Sequence, residues 1–152
     1  MKPYVYGPKF MWNIDSSVGK GGANGNVADV SFLQWYYTLA ANFHLTTPEN
    51  QAVYRAVKIT GSCTGRDNDP LVAAIFAQQR GMNHPFIDGK VSVVTGSGKV
   101  SDKAFFLIRL EARFAVMYPD AWPRLDRIPG CPSSVLEIAK YAVPNLAEIQ
   151  HG

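Results

Sequence analysis

The chain has 152 residues, of which 47% are hydrophobic and 18% charged, with a formal net charge of +3. That length suits one domain with a short appendage, and the apolar share excludes disorder as a global state. The basic residues fall as pairs and spaced singles, without the clustering a nucleic-acid footprint requires, so no nucleic-acid partner is expected.

In chain order, residues 1–13 set Pro3, Gly7 and Pro8 among Tyr4, Tyr6, Phe10 and Trp12. Closely spaced prolines oppose a helix, so an extended aromatic arm is expected, bound to the domain or to a partner. Residues 15–28 are rich in Gly, Asn and Ser and read as loop, where Gly19, Gly21, Gly22 and Gly25 suit a concave nest of backbone amides. From Asp29 the spacing of Val30, Phe32, Leu33, Tyr36, Tyr37, Ala40 and Ala41 predicts an amphipathic helix ending near Asn42 or Phe43. A second helix starts at Thr47-Pro48, with Ala52, Val53, Ala56 and Val57 along one side, and stops before Gly61. After a loop, Asp69 caps a helix over Leu71–Arg80 with Pro70 at its first position and Gly81 just beyond its end. Asp88-Gly89 is a turn, and Val91, Val93 and Val94 suit a short β segment.

Ser101-Asp102 is the expected cap of a further helix that Pro119 ends. Its broad apolar face would comprise Ala104, Phe105, Ile108, Ala112, Ala115 and Val116, with Lys103, Arg109, Glu111 and Arg113 on the polar side. A proline-rich connector follows. Ser133 or Ser134 then caps a final helix through Val135, Ile138, Ala139 and Ala142, stopped by Pro144. The expected fold is all-α, a small helical bundle with long glycine-rich loops and a C-terminal helical extension. Its parts are an aromatic arm over 1–13, a helical domain over 14–118, and a connector with C-terminal helix over 119–152.

Chemical motifs are sparse. Gly96-Ser97-Gly98-Lys99 resembles the tail of a phosphate-binding loop, but Val100 follows where Ser or Thr is required. Cys63, His84 and Asp88 could form a nucleophilic triad only if their loops converge, and no local signature supports it. Glu111 is the least implausible acid for glycoside hydrolysis, which needs two carboxylates. The cysteines, Cys63 and Cys131, supply neither a stapled scaffold nor a four-ligand zinc site, and the sequence leaves their pairing open. No metal or cofactor is expected. No stretch reaches the ~20 apolar residues of a membrane span, and the N-terminus lacks the apolar core of a signal peptide. Trp35, Tyr36 and Tyr37 occupy consecutive positions at about 100° per residue, so at least one should be exposed or lie under the arm.

Taken together, residues 14–92 resemble the peptidoglycan-binding-like domain, a small helical module of cell-wall recognition. The stretch Ser17-Val18-Gly19-Lys20-Gly21-Gly22-Ala23-Asn24 fits its opening motif, and Asp29-Val30-Ser31-Phe32-Leu33-Gln34 its first helix. Gly61-Ser62-Cys63, the helix with Ala74-Ile75 and Gln79, and the closing turn Asp88-Gly89-Lys90-Val91 follow in the family's order. Leu71 and Gln78 depart from the pattern, and four residues, roughly Arg66 to Asp69, are inserted in the turn.

The resemblance covers about half of the chain. It implies a non-catalytic binder of peptidoglycan glycan or stem peptide, with Asn24, Asn26, Trp35, Arg66, Asp67 and Asp88 as candidate ligand-binding residues. Made in the cytoplasm without a signal peptide, such a module would act at the bacterial wall or periplasm. Its vehicle would be a phage particle, a contractile secretion system or a hydrolase complex. The alternatives are a structural adaptor, with its protein partner on the aromatic arm and the helix over 104–117, and a small wall hydrolase.

Overall fold

The computed structural model describes residues 1–6, 9–96, 101 and 103–140. Among these, five α-helices accompany two small antiparallel sheets of two strands each. The all-α expectation is therefore corrected to a mixed α/β fold.

The correction begins in the aromatic arm, where β1 (Lys2–Tyr6) pairs antiparallel with β2 (Lys9–Asn13) in register from Lys2↔Asn13 to Tyr6↔Lys9. Prolines exclude a helix but not a hairpin. Pro3 lies opposite Trp12, whose N–H turns away from β1 to Glu111, so the absent N–H of Pro3 removes no ladder bond. Trp12 is fully buried, packs edge-on against Phe10 at 5.4 Å, and donates its indole N–H to the Pro123 carbonyl at 2.8 Å. The second sheet joins β3 (Val18–Gly19) to β4 (Lys90–Val91), closing the glycine-rich loop onto the distant Asp88-Gly89 turn.

Helix α1 (Val27–Ala40) is the centre of the molecule. Its cap is Asn26, whose side chain accepts from the Asp29 N–H at 3.0 Å, two residues or more before the expected start. Asp29 is fully buried; its carboxylate accepts from the N–H groups of Asp15 and Ser16 and from the Met1 ammonium at 2.8 Å. The expected amphipathic stripe is absent, because residues 28–37 are buried on every side. Trp35, Tyr36 and Tyr37 are all in the core, so none of the three is an exposed platform. A helix buried all round is one wrapped by neighbours.

Helices α2 (Pro48–Arg55) and α3 (Pro70–Gly81) pack on one side of α1. Helices α4 (Phe106–Met117) and α5 (Ser133–Ala139) cover other sides. Phe114 of α4 stacks on Phe32 at 5.7 Å and meets Trp35 edge-on at 5.1 Å. On α3, Gln78 joins a buried polar cluster, accepting from the Tyr37 hydroxyl at 2.8 Å and donating to the Tyr36 oxygen. Burial pushes the Tyr36 and Tyr37 phenols up, and that of Tyr54 to about 12.

Asp69 caps α3 as expected, but Gly81 continues the helix and Asn83 takes the positive φ of +52°. Helix α4 starts at Phe106, while Ser101 closes a preceding turn by accepting from the N–H groups of Ala104 and Phe105. It also buries a different face: Phe106, Leu107, Leu110, Glu111 and Phe114 are inside, and Ala112 and Val116 are exposed. Burying the larger Phe and Leu side chains removes more apolar area than an alanine stripe can. Helix α5 lacks a side-chain cap. Gly7, Pro8, Ser97, Gly98, Lys99, Val100, Asp102, Ala142, Pro144, Glu148 and His151 lie outside the described residues.

Candidate functional site

Three loops converge around β3 and β4, and each is closed by one side-chain amide. Asn24, at a positive φ of +55°, accepts from the Gly19 N–H at 2.7 Å and donates to the carbonyls of Gly19 and Gly22. Gln34 accepts from the N–H groups of Thr60 and Gly61 at 2.8 and 2.9 Å, and donates to the Thr60 hydroxyl and the Ser62 carbonyl. Gln79 accepts from the N–H groups of Asp88 and Gly89 at 3.1 and 2.8 Å, and donates to Asp88 and to the Lys90 carbonyl. A primary amide presents acceptor and donor groups together, so one side chain can satisfy both polarities of a backbone turn.

Close approach, of backbone in one case and of a ring in the other, fixes two of the glycines. Gly19 has φ +112° and a Cβ there would collide with the Gly89 carbonyl; one at Gly89, φ +69°, would collide with the Phe76 ring. The Lys20 N–H donates to Gly89 O at 2.9 Å, completing the junction.

The six residues proposed from sequence divide accordingly. Trp35 is withdrawn as a ligand platform: it is buried and its indole N–H donates to the Pro129 carbonyl at 2.9 Å, under a C-terminal segment whose position the periodicity of α1 does not reveal. Asn24 is a loop clamp and Asn26 a helix cap. Asp88 accepts from its own turn at Lys90 N–H, 3.1 Å, and from Gln79. Arg66 and Asp67 remain exposed on the inserted loop, with Asp67 paired to Lys20 at 3.0 Å.

An accessible aromatic at this junction is Phe76, a residue outside those six. It is half-buried, rests on Gly89, and has Lys20 Nζ and the Arg80 guanidinium each 5.5 Å from its centroid. Its signal was legible: Phe76 lies off the Leu71–Ile75–Gln78 face, and Arg80 follows at i+4.

The three residues of the conceivable triad do not share one cleft. His84 and Asp88 line one cleft of about 230 Å³, His84 packing edge-on against Phe106 at 5.3 Å with Arg109 3.4 Å from its Nδ1. Cys63 instead sits beside Gly19, Gly65 and Asp69, and partial burial raises its thiol above the ordinary value. Cys63 and Cys131 are both free thiols.

Glu111 is the second notable position. Its Oε1 accepts from the Trp12 N–H at 2.8 Å, while Oε2 is buried with no hydrogen-bond partner among the described residues. Burial pushes its carboxyl well above the ordinary value, against the smaller opposing effect of the Trp12 bond.

No helix among the described residues is long and apolar enough to cross a membrane. Comparison with protein-family models, curated proteins and solved structures returns no match to this chain.

Proposed function

We propose that the chain is a non-catalytic cell-wall module that binds peptidoglycan on the exposed rim around Phe76. The observation behind this is the junction itself. Asn24, Gln34 and Gln79, all residues of the resembling stretch, each close a loop and leave exposed Lys20 and Arg80 against one aromatic ring, with Asp67 paired to Lys20. A half-covered aromatic framed by charged hydrogen-bonding groups suits a sugar ring with its amide and carboxylate substituents. The setting implied by the resemblance is a phage particle, a contractile secretion system or a hydrolase complex.

Co-sedimentation with purified peptidoglycan, with turbidity followed in the same tube, tests this. The chain is expected to pellet without clearing the suspension. Phe76→Ala, which removes the ring without touching the buried core, is expected to weaken pelleting by about tenfold or more. Clearing of the suspension, or pelleting unaffected by Phe76→Ala, would overturn the proposal.

A further inference from the structure

A pocket of about 110 Å³ lies where α1, α2, α3 and α4 meet, and Phe76 is not among the residues that line it. Its volume is that of about three or four water molecules, so it suits a small group rather than a sugar ring. Phe43, Leu45 and Met117 give it apolar wall, while Tyr36, Tyr54 and Arg113 give it polar groups. A directed relay of hydrogen bonds ends there. The Tyr37 hydroxyl donates to Gln78 Oε1, and Gln78 Nε2 donates in turn to the Tyr36 oxygen. Tyr36 is only 2% exposed, and its own hydroxyl proton has no acceptor among the described residues. Nearby carbonyls are already engaged: Ala40 O takes the Phe43 N–H, Gln78 O the Met82 N–H, and Met82 O the Arg109 guanidinium. Arg113 has no carboxylate partner among the described residues, and its charge acts on the Tyr36 and Tyr54 phenols alike. The pocket therefore holds a surplus of donors.

We propose that this pocket binds a carboxylate carried on a short aliphatic tail, which accepts from the Tyr36 hydroxyl and from the Arg113 guanidinium. An ionised carboxylate only accepts hydrogen bonds, so it answers a donor surplus without bringing a proton of its own. Arg113 sets the sign of the charge, and its planar fork matches two carboxylate oxygens. The tail lies against Phe43, Leu45 and Met117. Leu45 is 58% exposed although it lines the pocket, and an aliphatic tail would cover it. A free short-chain acid and the C-terminal alanine of a peptide present this same chemistry, and the volume admits either head group.

The test is a titration of the full-length, nitrogen-15-labelled chain followed by amide chemical shifts, against sodium chloride at equal ionic strength. The probes are butyrate, butylammonium, acetyl-alanyl-alanine and the amide of that dipeptide. Saturable shifts at Gly81, Met82, Arg113 and the Gln78 side-chain amide are expected with the carboxylates. The tighter of the two identifies the source, a free acid or a chain terminus. Butylammonium and the dipeptide amide should bind at least about tenfold more weakly. Arg113→Gln, at an exposed position, and Tyr36→Phe, which keeps the ring, should each weaken the carboxylates by about tenfold. If Tyr36→Phe does not fold, Arg113→Gln decides alone. Shifts that chloride reproduces, butylammonium binding as well as butyrate, or indifference to Arg113→Gln would each overturn the proposal. Peptidoglycan pelleting reads Phe76, which does not line this pocket, so the two proposals fail separately.

Discussion

Trp35 touches α4 through Phe114 and the C-terminal segment through the Pro129 carbonyl, and it is 1% exposed. Truncation there would open a cavity in the core and leave a carbonyl without its donor. Trp35→Ala is therefore expected to destabilise the chain by about 3–5 kcal/mol, measured by urea denaturation. Trp35→Phe should cost less, since it keeps most of the ring. If Trp35→Ala left the denaturation midpoint unchanged but abolished peptidoglycan pelleting, the indole would be a ligand contact after all. Its burial was only half legible in the sequence. The three-residue run Trp35–Tyr36–Tyr37 requires cover in three directions, but the cover for Trp35 comes from residues 94 positions away. Nothing local to α1 encodes that. Phe76 is the converse case: its position off the buried face of α3 is readable from the sequence alone.

At the scale of elements, the caps and breakers were readable because their chemistry is local. Thr47-Pro48 and Asp69-Pro70 start α2 and α3 where they were expected. The hairpin was missed because pairing is a relation between segments, and Pro3 and Pro8 argue against helix without arguing for a partner strand. The buried face of α4 differs from the expected stripe because periodicity does not distinguish small apolar residues from the large ones whose burial removes more area. Loop closure by side-chain amides was likewise hidden, since a glutamine in an apolar helix face does not name the turn it will meet.

Gln79 gives this a quantitative test. Its amide makes four hydrogen bonds to residues 88–90, two of them from main-chain N–H groups. Gln79→Ala is expected to destabilise by about 2–4 kcal/mol, the N–H of buried Gly89 losing its acceptor. Amide hydrogen exchange should accelerate at Gly89, Lys90 and Val91 more than in the centre of α1. Uniform acceleration across the chain would mean that the turn has no separate dependence on Gln79.

For the molecule as a whole, burial of a carboxyl beneath the hairpin sets a pH dependence whose sign can be worked out. The Glu111 carboxyl keeps its proton in the folded chain well above its ordinary value of 4.5. Below pH 4.5 both folded and unfolded states are protonated, and this group gives no difference between them. As pH rises further, the unfolded carboxyl ionises while the folded one does not. Stability then falls by up to about 1.4 kcal/mol per pH unit until the folded carboxyl also ionises. Lys9 on β2 and Arg109 on α4, with Tyr6 on β1, line a cleft together with Glu111, yet burial is the largest effect on its carboxyl. Asp126 works in the opposite sense. The Arg124 hydrogen bond lowers its pKa below 3.8, so its contribution is present at higher pH and lost as pH falls through that depressed value. These two groups by themselves favour mildly acidic solution. Glu111→Gln keeps the acceptor for Trp12 N–H and cannot ionise. The variant should match the parent near pH 4 and exceed it near pH 7, with the gap widening between them in denaturation midpoints. A variant that is less stable by the same amount at every pH would show that Glu111 is ionised and held by contacts this fold does not otherwise reveal. One set of denaturation curves therefore reads both the protonation state of Glu111 and its weight in the stability of the hairpin above it.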